Sequence, residues 1–82
     1  MHSIANVKYL EGYKLELTFD DQSKKIADLS YLTQRGGVFT PFTDLDFFKQ
    51  VKLDESHYTI VWPNGVDLCP DRLWEVSKFL EH

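Results

Sequence analysis

The thirteen residues Trp62-Pro63-Asn64-Gly65-Val66-Asp67-Leu68-Cys69-Pro70-Asp71-Arg72-Leu73-Trp74 leave this chain few ways to fold. Pro63 lacks an amide hydrogen, so a strand arriving at Trp62 stops there. Asn64-Gly65 supplies two residues tolerant of positive φ, which predicts a type I′ hairpin turn and a short returning strand over Val66-Asp67-Leu68. Asp67 is expected to bond local backbone. Pro70 suits the first helical position and Asp71 the positive end of the helix dipole, so a terminal helix begins there. On that helix Leu73, Val76 and Leu80 form one apolar stripe, Glu75 and Lys78 point away, and Trp74 lies at the stripe's edge. Trp62, Pro63, Asn64, Gly65, Asp67 and Pro70 thus read as a structural motif: strand end, turn, return, helix start.

Upstream, Tyr13, Leu15, Leu17 and Phe19 alternate with polar residues and predict a half-buried strand. Glu11-Gly12 and Asp20-Asp21-Gln22-Ser23 are turns on either side of it, giving an antiparallel meander with Ile4–Leu10 before and Lys24–Leu29 after. In the third strand Ile26 and Asp28 share one face, Ala27 and Leu29 the other. Ser30 is placed to cap a short helical turn that Gly36-Gly37 ends. An extended crossing follows over Val38–Phe42, with Thr40 held out of the helical region by Pro41. Thr43 reads as the cap of a short middle helix ending near Gln50, with Asp44 and Asp46 in its first turn. Strands at 51–54 and 58–62 flank a turn at Glu55-Ser56-His57. The fold class is α+β: a mostly antiparallel, partly curled sheet of five or six short strands, a short middle helix and a C-terminal helix.

At 82 residues the chain has length for one domain and one modest core. Its 15% aromatic content fills such a core without a disulfide or metal staple. A net charge of −4 argues against direct binding to nucleic acid by charge alone. Cys69 is the single cysteine, so no intramolecular disulfide forms. No apolar run approaches the roughly 20 residues that span a bilayer, and Met1-His2-Ser3-Ile4 is unlike a secretory leader. The expectation is a cytoplasmic protein. Leu80-Glu81-His82 matches the start of a common expression-tag scar, so the domain is taken as residues 1–79 and 80–82 as a tag remnant.

Chemistry-bearing groupings are sparse. Cys69 at a helix start could have a lowered pKa, but the position suits a cap or a small thiol equally well. His2 and His57 lie at a terminus and a turn with no nucleophile in a recognised context. There is no CxxC, HExxH or calcium-loop spacing, and Asp44-Leu45-Asp46 is explained by helix capping. Gly36-Gly37 lacks the lysine and helix of a phosphate loop. No catalytic residue, cofactor or metal is assigned, and the chain is expected not to be an enzyme.

Surfaces that bind partners are better represented. Phe39, Phe42, Phe47 and Phe48 fall within ten residues around Pro41, more aromatic area than a loop needs for itself. Phe39, Pro41 and Phe42 are therefore candidate partner contacts, and Arg72 and Trp74 on the edge of the terminal helix are the others.

Tyr13–Asp20, Asp28-Leu29, Val38–Phe48 and above all Val61-Trp62-Pro63-Asn64-Gly65-Val66-Asp67-Leu68 with Pro70-Asp71-Arg72-Leu73 resemble, in order, the bacterial proteins grouped as domain of unknown function 2442. The resemblance implies a small α+β domain without an assigned activity, encoded beside another small protein in an arrangement like that of toxin–antitoxin pairs. Some relatives carry a helix-turn-helix domain after this module; the chain here stops after its helix, which implies that the DNA-reading half is absent. Relatives often have Tyr at the position of Trp74 and a hydroxyl residue or Ala at that of Cys69, so the resemblance assigns neither a special role. The expected function is a non-enzymatic interaction module binding a small partner protein, basic by charge complementarity, with a homodimer compatible. The alternative is a ligand-sensing or accessory domain of a transcriptional regulator, with a pocket beside Trp62.

Overall fold

The computed structural model describes residues 2–80. Strands β1 (Ile4–Glu11), β2 (Lys14–Phe19) and β3 (Lys24–Asp28) form the expected antiparallel meander. A fourth strand, β6 (Ser77–Phe79), pairs antiparallel with β3, giving the order β1-β2-β3-β6. A separate two-stranded sheet joins β4 (Lys52–Asp54) to β5 (Thr59–Val61). The architecture is α+β with antiparallel sheets and, among the described residues, no closed barrel.

Alternation decides which face is covered. Leu15, Leu17 and Phe19 of β2 and Ala27 of β3 are buried, and they pack with Ile4, Leu29, Leu32, Phe42, Phe48, Ile60, Trp62 and Leu73. Pairing across the ladder sets Lys8, Glu16, Ile26 and Lys78 in one row on the outer face. Aromatic rings fill the centre: Trp62 lies 4.6 Å from Phe42 and 5.7 Å from Phe48, centroid to centroid. The indole N–H of Trp62 donates to the Phe48 carbonyl at 2.9 Å, so its polar atom is buried with a partner.

Several local expectations are corrected. The capping acceptor before the first helical turn is Asp28, whose carboxylate accepts the Ser30 amide at 3.0 Å; the turn itself is a 3₁₀ segment, Ser30–Gln34. The crossing expected to be extended over Val38–Phe42 is a second 3₁₀ segment, Gly37–Thr43, entered through positive φ at Gly36 and Gly37. Residues three apart eclipse in such a turn, which lets Phe39 meet the buried Phe42 edge to face at 5.5 Å. The cap of α1 (Leu45–Phe48) is Asp44, whose side chain accepts from the Asp46 amide; Thr43 donates back to Thr40 instead.

The hairpin after Trp62 is not type I′. Asn64 does not have positive φ; among Pro63, Asn64 and Gly65 only Gly65 does, at 86°. The Gly65 amide donates to Trp62 and the Trp62 amide to Val66. Pro63 and Asn64 are therefore the central residues of a type I turn and Gly65 the left-handed residue after it. The fixed φ of Pro63 favours this placement. The return is reduced to one bridge, Val61 to Asp67.

The terminal helix, α2 (Pro70–Val76), is shorter than the apolar stripe predicts. At Ser77 the backbone swings to φ −99°, ψ 162° and enters β6 with no loop between. Two side chains take the Trp74 carbonyl, Lys25 Nζ at 2.7 Å and Ser77 Oγ at 3.1 Å. The open side of β3 then recruits Ser77–Phe79 as a strand. Among the described residues no helix is long and apolar enough to cross a membrane.

A candidate interaction surface at the sheet edge

Lys25 stands on the core face of β3, two residues before Ala27, and is 5% exposed. Its stem lies among apolar neighbours and its ammonium ends 4.0 Å from the Trp74 ring centre and 4.7 Å from that of Phe79. The rings' negative faces and the Trp74 carbonyl stabilise the charge where no carboxylate is in ion-pair contact among the described residues. Burial still holds the Lys25 pKa below the ordinary lysine value.

Around this ammonium, Trp74 is a hub. His2 stacks on it at 4.1 Å and 7°, Phe19 meets it edge-on at 4.9 Å, and Phe79 meets it edge-on at 5.5 Å. The His2 amide donates to the Asp71 carboxylate at 2.7 Å, tying the start of the chain to the first turn of α2. Phe79 is 59% exposed despite these contacts. On the outer face beside it lies an open groove of about 480 Å³, lined by Ile26, Val76, Phe79 and Leu80 with Lys14, Asp28 and Lys78. The Ser30 amide holds the Asp28 carboxyl below the usual carboxylate range, and Lys14 acts in the same direction.

In the β4–β5 turn, whose Tyr58 carbonyl accepts the Ile4 amide at 2.8 Å, His57 Nδ1 lies 2.8 Å from Asp54 Oδ2. This contact, then backbone donors, holds the Asp54 carboxyl below its usual range. The pair sits on an exposed turn with Tyr58 at φ 57°; Ser56 lies between the two residues and donates its amide to Asp54 Oδ1 at 3.0 Å. Cys69 occupies the cap position of α2, is exposed, and its side chain makes no capping bond. Among the described residues no three potential metal ligands cluster.

A family model described as "Protein of unknown function (DUF2442)" matches residues 4–79, from the start of β1 to the end of β6. The chain belongs to this family. Among curated proteins and among solved structures, nothing matches it.

The DUF2442 domain places the sequence candidates in two separate regions. Phe42 is fully buried against Trp62 and is not available to a partner, because it is the inward residue of the 3₁₀ turn. Phe39 is half-buried on top of it with the Arg35 guanidinium 5.9 Å from its ring, and Pro41 is exposed. Arg72 is exposed and pairs with Glu75 at 3.3 Å. Trp74 is half-buried and belongs to the β6 cluster. In the structural motif, Trp62 is core, Asn64 bonds the Val66 amide and the Val38 carbonyl, and Pro70 opens α2. Asp67 is exposed and carries the bridge to Val61 through its backbone. The tag expectation for residues 80–82 falls partly outside the described residues; Leu80 itself donates to the Lys24 carbonyl and lines the groove.

The residues that sequence reasoning missed are Lys25, Lys78 and Phe79. Their signal was in the alternation of β3: Lys25, Ala27 and Leu29 share one face, which puts a lysine among core residues and requires something to receive its ammonium.

Proposed function

We propose that this DUF2442 domain is a non-enzymatic interaction module that binds a small partner protein, as the antitoxin-like member of a two-gene pair. The observation that carries the reading is the exposure of Phe79 beside an apolar groove at the edge of the four-stranded sheet. A large ring left uncovered next to apolar surface loses its remaining contact with water when a partner docks, at roughly 25 cal/mol per Å² buried. Val38 and Tyr58, 62% and 63% exposed, extend the supply of apolar contact area elsewhere on the surface. The net charge of −4 favours encounter with a basic partner.

The sensing alternative calls for a cavity beside Trp62. That tryptophan is packed ring against ring with Phe42 and Phe48, which weighs toward the interaction module.

Capture of the tagged protein from its native host, followed by mass spectrometry, tests the reading. One stoichiometric small protein is the expected result. A monomer recovered alone at every salt concentration overturns it.

A further inference from the structure

The ladder between β3 and β6 leaves one side of β6 without a strand. Hydrogen-bonded and non-bonded pairs alternate along an antiparallel ladder. Leu80 donates its amide to the Lys24 carbonyl at 3.1 Å, so Lys24–Leu80 is a bonded pair and Ile26–Lys78 is the next. Ser77 and Phe79, in the intervening pairs, turn their amides and carbonyls to the opposite side, where Phe79 is exposed and Ser77 is buried at 7% exposure. Among the described residues no strand lies there, since β6 is the last strand in its sheet.

Side chains specify what that edge accepts. Lys14 faces Asp28 across the β2–β3 pair. Lys78 faces the apolar Ile26 and has no ion pair among the described residues. Val76 and Leu80 line the outer face on either side of it. We propose that the free edge of β6 takes an added strand from the partner protein, with an acidic residue opposite Lys78 and apolar residues two positions to either side. Backbone bonds to the exposed Phe79 anchor the strand, the acid answers Lys78, and the flanking apolar residues enter the groove. This rests on the interaction-module reading and names the mode of contact. A second copy of the chain fits worse, because antiparallel self-pairing centred on β6 sets Lys78 against Lys78.

The test uses a short synthetic peptide with the core Val-Phe-Glu-Thr-Val, titrated into the nitrogen-15-labelled full chain. The largest shift is expected at the Phe79 amide, with smaller ones at Lys78 and Leu80. Lys78→Glu weakens this peptide by about fivefold, and a peptide with Lys in place of its Glu recovers on that variant. N-methylation of the peptide amides that face β6 abolishes binding. Shifts centred elsewhere, affinity indifferent to the charge exchange, or binding that survives N-methylation overturns the proposal, as does a dimer of the free chain that Ser77–Phe79 amides report. Native-host capture separates the two failures. A partner recovered equally by wild type and Lys78→Glu sinks the edge alone, whereas no partner for wild type sinks the reading while the peptide still judges the edge.

Discussion

Lys25 Nζ donates to the Trp74 carbonyl at 2.7 Å, joining the middle of β3 to the last turn of α2 at the point where the helix stops. The cation complements the negative end of the helix dipole, yet it does so from a buried position. Its depressed pKa means the folded state binds this proton less tightly than the unfolded chain. Stability therefore rises with pH between the folded-state pKa and about 10.5, and the cost of the buried charge is fully present below that window. Lys25→Met should remove this pH dependence while keeping the stem's packing, with stability at neutral pH changed by about 1 kcal/mol or less. Urea titrations of both proteins across alkaline pH measure the difference; parallel curves would contradict it.

Trp62→Phe removes the bond to the Phe48 carbonyl and leaves space between Phe42 and Phe48. That carbonyl retains the Val51 amide, so no orphan acceptor adds to the loss. The expected destabilisation is about 1–3 kcal/mol from the cavity and the lost hydrogen bond. Chemical denaturation followed by the fluorescence of the remaining Trp74 reads it.

Gly65→Ala meets no neighbour within 4 Å, so its cost is conformational alone. Placing a Cβ at φ 86° should destabilise by about 1–2 kcal/mol. Asn64 is not in that region, and Asn64→Gly should give no gain from relieved strain. Thermal melts of the two variants distinguish this turn from one needing two left-handed residues.

Cys69 is an uncapped cap position with extended backbone, φ −65° and ψ 127°. Cys69→Ser supplies a hydroxyl acceptor for the first turn of α2 and should stabilise by about 0.5–1 kcal/mol. The wild-type thiol should react rapidly with a disulfide reagent in the folded state because it is exposed.

Asp54 is held below the usual carboxylate range chiefly by His57. A depressed carboxylate pKa contributes stability above the unfolded-state value that is lost as pH falls through the folded one. His57→Ala should move the Asp54 titration back toward the ordinary range, which carbon-13 detection of the carboxyl follows. An unchanged midpoint would mean that the backbone donors alone set it.

The meander was readable because Leu15, Leu17 and Phe19 repeat at period two between two turn signals, and all three are buried on β2; Tyr13, expected to open the strand, lies in the turn before it. The end of α2 was not. Leu73, Val76 and Leu80 satisfy a helical stripe, while Ser77 and Phe79 satisfy strand alternation as well; what selects the strand is the open side of β3 some fifty residues earlier. Phe42 illustrates the same limit for the site. Counting aromatics around Pro41 located a cluster, but only the 3₁₀ turn decides that Phe42 points in and Pro41 out. Phe79 escaped notice because its exposure depends on which secondary structure it joins.

The return of β6 across about fifty residues also orders the folding of the sheet. The β1–β2–β3 meander closes through short turns, whereas the β3–β6 ladder must wait for a long loop to close. Until then β3 is an edge, open to pairing with any other extended chain. The adjacent Lys24 and Lys25 lie on that edge, and in a half-folded molecule both cations discourage such misassembly. The lysine that ends between Trp74 and Phe79 thus has an earlier duty as a gatekeeper, discharged at the moment β6 arrives to cover it.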